Sequence, residues 1–192
     1  MNEAGFFETE VEEALEVLKK GRVILYPTDT IWGIGCDATS EEAVMRIYQL
    51  KKREDSKSMI ILMADEREVL QYVAAPDLAV FDFLEEQTRP TTIIFEGAIG
   101  LPPNLIAADG SIAIRIVKDP FCRHLIRRLR KPIVSTSANI SGQASPASFA
   151  DIPLQIIKAV DHVVKWRQDD HSNSLPSQII RWVNGRVEYI RR

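Results

Sequence analysis

Val23-Ile24-Leu25-Tyr26, closed by Pro27 and followed by the polar turn Thr28-Asp29-Thr30, is the stretch from which the fold is read. Its apolar run suffices for a strand buried on both faces and is too short for a helix, and a proline ends such a run because it has no N–H to give to a ladder. Upstream, Val11, Ala14, Leu15 and Leu18 recur at helical spacing, with Thr9 and Glu12 as a capping box and Gly21 as the stop, which predicts a helix over residues 9–20. Downstream, Thr39 and Glu42 form a second capping box and Val44, Ile47 and Tyr48 share one face, so a second helix is expected from about Thr39. A buried strand between two helices predicts an α/β fold.

The alternation continues. Strands are expected at residues 59–63, 91–95, 111–117, 133–135 and 162–166, and helices at 65–73, 77–86, 119–130 and 154–160. Pro102-Pro103 marks a loop over residues 100–109, and Asn184-Gly185 predicts a terminal hairpin, which is antiparallel by construction. The expected architecture is an open, twisted, mixed sheet with helices, whose ligands sit beyond the strand ends. No repeat, low-complexity tract or linker interrupts it, so residues 1–192 are expected to form a single domain.

Composition narrows the classes. With 45% hydrophobic and 27% charged residues, disordered, collagen-like and coiled-coil classes are excluded. No apolar run approaches the roughly 18–20 residues that span a bilayer, and the acidic residues 1–12 do not read as a signal peptide. A cytoplasmic protein without membrane contact is expected. Cys36 and Cys122 form no CxxC and no zinc set, so they are expected to be reduced and structural, with no metal held by the chain itself. The formal net charge of −3 gives no long-range attraction to nucleic acid, so any polyanion site is a local patch.

Three polar clusters flank predicted strands. Lys51 continues the apolar stripe of Val44, Ile47 and Tyr48, and two readings of it stand level on phase alone: an ammonium that binds an anion, or a stem that snorkels out to complement the helix C-terminus. Arg53 and Lys57 follow, and with Lys51 they could converge on a triphosphate or form a solvated basic face. Ser135-Thr136-Ser137-Ala138-Asn139-Ile140-Ser141-Gly142 places hydroxyls and an amide at a strand end, suited to a nucleotide or amino acid or to a side-chain-stabilised turn. Arg115 interrupts an apolar strand opposite Ile112, Ile114 and Ile116, which requires a carboxylate, a phosphate or an edge facing water. His124 lies on a basic helix with Arg123, Arg127, Arg128 and Arg130, while His162 and His171 have no evident nucleophile partner. There is no GxSxG or Walker sequence, so nucleophilic catalysis by a side chain is not supported.

Taken together, Pro27-Thr28-Asp29-Thr30-Ile31-Trp32-Gly33, Lys51-x-Arg53, and Ser137-x-Asn139 with Ser141-Gly142 resemble the YrdC family of threonylcarbamoyl-adenylate synthases. The likeness runs from Val23 to about Pro146, with a weaker echo at Pro176-Ser177-Gln178-Ile179, and its length resembles the stand-alone form. It implies a YrdC-like fold around a positively charged cavity that takes ATP, L-threonine and bicarbonate or CO2. The implied products are L-threonylcarbamoyl-adenylate and pyrophosphate, the adenylate serving threonylcarbamoyladenosine formation at position 37 of transfer RNAs reading ANN codons, with TsaB, TsaD and TsaE-type partners. By position, Lys51, Arg53, Lys57, Ser137 and Asn139 match the nucleotide-binding motifs, with Ser111 and Ser145 as weaker contacts, and Thr30, Arg115, Ser135 and Ser177 match positions around threonine. Lys51, Arg53, Ser137 and Asn139 are the implied catalytic set. The family's Pro-Gly-Pro-x-Thr is replaced by Thr88-Arg89-Pro90-Thr91-Thr92, and its Pro-Ser-Thr by Pro176-Ser177-Gln178. Mg²⁺ is expected to arrive on the phosphates of ATP, because the sequence offers no carboxylate cage. Competing readings are a double-stranded RNA- or tRNA-binding module and an enzyme that takes its carbamoyl group from carbamoyl phosphate.

Overall fold

The computed structural model describes residues 3–52, 59–170 and 175–192. In chain order its elements are α1 (Glu3–Lys19), β1 (Ile24–Tyr26), β2 (Gly33–Gly35), α2 (Glu41–Lys51), β3 (Ile60–Met63), α3 (Ala79–Glu85), β4 (Thr91–Phe95), β5 (Ile112–Ile116), α4 (Pro120–Leu129), β6 (Ile133–Ser137), α5 (Leu154–Ala159), β7 (His162–Val163), β8 (Gln178–Val183) and β9 (Arg186–Arg191).

Several boundaries differ from the sequence expectation, each for a local reason. Helix α1 already begins at Glu3, so Thr9 is interior and its hydroxyl donates back to the Gly5 carbonyl at 2.9 Å instead of capping. Helix α2 is capped by Ser40, whose Oγ accepts from the Ala43 N–H at 3.3 Å, because Thr39 is taken up by Asp37 Oδ1 through both its N–H and its hydroxyl. Residues Glu66–Gln71 wind as a 3₁₀ turn, the tighter form common in short segments. Strand β2 was not anticipated at all. The terminal hairpin is as expected, with Asn184 and Gly185 at φ 51° and 73°.

Among the described residues the strands form one nine-stranded sheet, ordered β7-β1-β2-β6-β3-β5-β4-β8-β9. It is mixed: β1–β7, β3–β5 and β4–β8 pair in parallel, and the remaining neighbours are antiparallel. Alternation along the strands divides the core. Ile61, Ile93, Ile114, Val134 and Ile180 pack with Val44, Ile47 and Tyr48 of α2, Val80 and Phe81 of α3 and Ile156 of α5. On the other face Ile24, Tyr26, Leu62 and Ile133 pack against Val11, Leu15 and Leu18 of α1 and Phe121, Leu125 and Leu129 of α4. Helices α1 and α4 cover only part of that second face. Two residues back from fully buried Leu62, Ile60 is only half-buried, and its register partners Ala113 and Ser135 lie beside it on uncovered sheet.

Candidate active site

That uncovered sheet is the floor of a cleft of about 300 Å³. The pairings Gly33↔Ser137, Ile60↔Ser135, Ile60↔Ala113, Ile94↔Ala113 and Ile179↔Arg191 run across it, so its floor is one layer of facing residues from β2 to β9. Thr30, Arg115, Ser135, Ser137, Ser145 and Ser177, expected from the sequence to meet ligand, all line it. Its charged lining residues, among those described, are Arg115 and Arg191.

Thr30 is set by a hydroxyl chain. The Thr28 hydroxyl donates to the Ile31 carbonyl at 2.8 Å, so its oxygen, 3.0 Å from both the Thr30 N–H and the Thr30 hydroxyl, is the acceptor for both. Thr30 Oγ1 therefore gives its proton to Thr28 and offers lone pairs to the cleft. Arg115 is the complement: it is 4% exposed, and its Nε and Nη2 have no hydrogen-bond partner. Its charge is offset by Asp29, with Nη2 3.1 Å from Oδ1. Although that distance would admit a hydrogen bond, Asp29 Oδ1 lies off the N–H direction and has no hydrogen-bond partner either. The contact is thus an ion pair that leaves the Nε and Nη2 donors uncommitted.

Ser177 is held by the C-terminal hairpin and β4. Its Oγ is 2.8 Å from Thr92 Oγ1, and Arg191 donates to its carbonyl from Nε at 3.1 Å and Nη2 at 2.7 Å. Burial, and then the nearby positive charge of Arg115, hold the Arg191 guanidinium below its ordinary pKa, while it remains a cation at neutral pH. The two departures from the family pattern meet here. Gln178 Nε2 donates to Thr91 Oγ1 at 2.6 Å and to Gln87 Oε1 at 3.2 Å, so the residue that replaces the family's threonine ties down the loop that replaces Pro-Gly-Pro.

The other expected residues are placed differently. Lys51 is 1% exposed and does not snorkel; its ammonium donates to the Ser137 carbonyl, the Asn139 carbonyl at 2.7 Å and Asn139 Oδ1 at 3.3 Å. Asn139 Nδ2 donates to the Gln143 carbonyl at 2.6 Å, and the Ser137 hydroxyl donates to Asn139 Oδ1. Lys51 and Asn139 thus stand behind Ser137, outside the cleft lining. Ser111 is also outside it, its hydroxyl donating to Asp109 Oδ1 at 2.6 Å. Arg53, Lys57 and His171 lie outside the described residues.

Two participants were missed. Asp29 was read only as part of a turn, although an acid in an otherwise uncharged loop is the natural partner for an arginine inside an apolar strand. Arg191 has no local signal. The β8–β9 pairing slips between Ile179 and Ile180, so that Ile179 faces Arg191 and not Ile190.

Outside the cleft, Cys36 and Cys122 are buried and free, and burial pushes both thiols up. The basic face of α4 is partly neutralised, since Arg128 meets Glu8 and Glu12 at 3.4 Å and His124 lies 3.1 Å from Glu8. No helix among the described residues is long and apolar enough to cross a membrane.

A family model named Sua5/YciO/YrdC, described as telomere recombination, matches residues 16–192. The chain is 33% identical over 181 residues to the threonylcarbamoyl-AMP synthase of Idiomarina loihiensis, covering 92% of this chain and 95% of that protein. It is 30% identical over 183 residues to the threonylcarbamoyl-AMP synthase of Pseudoalteromonas translucida, covering 94% and 97%. Its fold is similar to that of P. abyssi Sua5 complexed with L-threonine, with a TM-score of 0.83 at 21% identity over 94% of this chain. This chain spans about half of that one, 53%. It is also similar to E. coli YciO, with a TM-score of 0.77 at 23% identity, covering 95% of this chain and 88% of that one.

Proposed function

The chain belongs to the Sua5/YciO/YrdC family, and from that premise we propose that it is an L-threonylcarbamoyladenylate synthase, a nucleotidyltransferase that converts ATP, L-threonine and bicarbonate or CO2 into threonylcarbamoyl-AMP and pyrophosphate. The observation that carries this reading is the convergence of Thr30, Arg115, Ser135, Ser137 and Ser177, from separate parts of the chain, on one cleft. Thr30 offers an acceptor and Arg115 offers donors with positive charge, which is what an amino acid's amine and carboxylate require.

No side-chain nucleophile is needed. The threonine amine takes up CO2, or bicarbonate with loss of water, to give a carbamate. A carbamate oxygen attacks the α-phosphorus of ATP, and the bond to the β-phosphate oxygen breaks to release pyrophosphate. The protein aligns the reactants and stabilises phosphate charge. Arg115 holds the threonine carboxylate, with Thr30, Ser135 and Ser177 around the amine and side chain. Ser137 and Ser145 face the nucleotide, together with Arg53 and Lys57, while Arg191 holds Ser177. Lys51 and Asn139 act by holding Ser137 in place. These cations make the cavity positive on this reading. Mg²⁺ comes with the triphosphate: the cleft's described lining contains no carboxylate, a donor set that gives no protein cage for a hard divalent ion. The adenylate then passes to TsaB, TsaD and TsaE-type proteins for transfer to ANN-decoding tRNA, a cytoplasmic setting.

Pyrophosphate release by the purified protein tests the reading. It is expected only when ATP, L-threonine and bicarbonate are all present, and Arg115→Ala is expected to lower kcat/KM for threonine at least 100-fold. Release without threonine, or release driven by carbamoyl phosphate in its place, would count against it.

A further inference from the structure

Asp29 is not among the residues lining the cleft that holds Arg115; it borders a cavity of about 410 Å³ with Gln87, Thr91, Ile116 and Lys118, and a smaller one of about 100 Å³ that shares Thr30, Ile31 and Trp32 with the cleft. Its charged contact with the lining of the cleft is the ion pair with the Arg115 guanidinium. A buried arginine needs its charge compensated, and the usual arrangement, a fork of hydrogen bonds to a carboxylate, would commit the donors that a ligand must use. Asp29 compensates the charge from 3.1 Å while Arg115 Nε and Nη2 keep no hydrogen-bond partner. The loop that sets this offset is fixed from outside the cleft. The Cys122 thiol donates to the Pro27 carbonyl at 3.3 Å, and Arg167, paired with Asp119 at 2.8 Å, reaches the Thr28 carbonyl at 3.4 Å.

We propose that Asp29 is a positioning and specificity residue: it neutralises Arg115 without occupying its Nε and Nη2 donors, so that this end of the cleft accepts a singly charged carboxylate and disfavours the phosphates of the neighbouring nucleotide. The Asp29–Arg115 pair is neutral as a unit, and a carboxylate adds a single charge to it. Without the aspartate, a buried and uncompensated cation would face the cleft and attract the most highly charged anion present. The inference rests on the assignment of Arg115 to the threonine carboxylate.

The test is Asp29→Asn, which keeps the shape and removes the charge, with urea unfolding to establish that the variant is folded. The KM for L-threonine is expected to rise about tenfold while that for ATP stays within twofold. Pyrophosphate, added as an inhibitor, is expected to become competitive with threonine in the variant but not in the wild type. In an Arg115→Ala background, Asp29→Asn is expected to change threonine affinity no further. Asp29→Glu, which retains the charge, is expected to recover most of the threonine affinity, and Asp29→Ser carries the same test if the asparagine variant does not fold. An unchanged KM for threonine in a folded, active variant, or equal rises in both KM values, overturns the proposal. Failure of the wild type to need threonine at all would instead overturn the function on which it rests.

Discussion

Lys51 shows how a buried ammonium can be held by oxygens of a distant stretch of backbone. The chain turns out of the sheet after β6, and the ammonium there donates to the carbonyls of Ser137 and Asn139 and to Asn139 Oδ1. Lys51→Met keeps the length and removes the donors, stranding buried acceptors; it is expected to lower stability by about 2–4 kcal/mol and to raise the KM for ATP through the displaced Ser137. Urea unfolding of the variant decides the matter: an unchanged midpoint with lost activity would mean that the ammonium serves a ligand alone. Helix phase sets Lys51 beside Val44, Ile47 and Tyr48 and leaves burial and snorkelling level, because backbone oxygens nearly ninety residues away decide between them and nothing local encodes that distance. Arg115 was legible because a charge within Ile112-Ala113-Ile114-Arg115-Ile116 stands out from its own strand. Arg191 was not, because a bulge decides which residue of β9 turns toward the cleft.

At the scale of elements, β2 is the part that a propensity argument misses. Gly33-Ile34-Gly35 has little intrinsic strand preference, yet it lies between β1 and β6 because glycine at position 35 permits the approach. A Cβ on Gly35 would stand 2.4 Å from the Val134 carbonyl oxygen and 2.7 Å from the Tyr26 ring, and the first of these is main chain that cannot swing aside. A Cβ on Gly33 would meet the Ser135 hydroxyl at 3.2 Å, a flexible group that can turn away. Gly35→Ala is therefore expected to destabilise by about 1–3 kcal/mol or more. Gly33→Ala is expected to change stability less and to act mainly on the cleft through Ser135. Urea midpoints measured side by side check the order, and a larger loss for Gly33→Ala would contradict this account of β2. Strands with an apolar run, such as β1 and β4, were plain in the sequence because burial on both faces selects residues that periodicity can detect.

For the whole molecule, alternation of strands and helices fixed the class of fold, whereas the cleft is defined by what α1 and α4 leave uncovered, and the extent of helix coverage is a tertiary outcome. Its floor crosses the sheet from β2 to β9, so an occupant touches strands that are far apart in the chain and only indirectly connected in the sheet order. Ligand binding must then stabilise the molecule as a unit, since the folded state holds the site and the unfolded chain does not. A ligand present at about 100 times its Kd adds about 2.7 kcal/mol to the unfolding free energy. L-Threonine and ATP are each expected to raise the thermal midpoint of the wild type, and together to raise it further. Because the proposed function puts Arg115 at the threonine carboxylate and Ser145 at the nucleotide, the two increments are expected to separate by mutation. Arg115→Ala is expected to lose the threonine increment and keep that of ATP, while Ser145→Ala is expected to lower the ATP increment and keep that of threonine. Thermal scans of both variants with each ligand read this directly, and loss of both increments in either variant would show that the two ends of the cleft do not act as separate subsites.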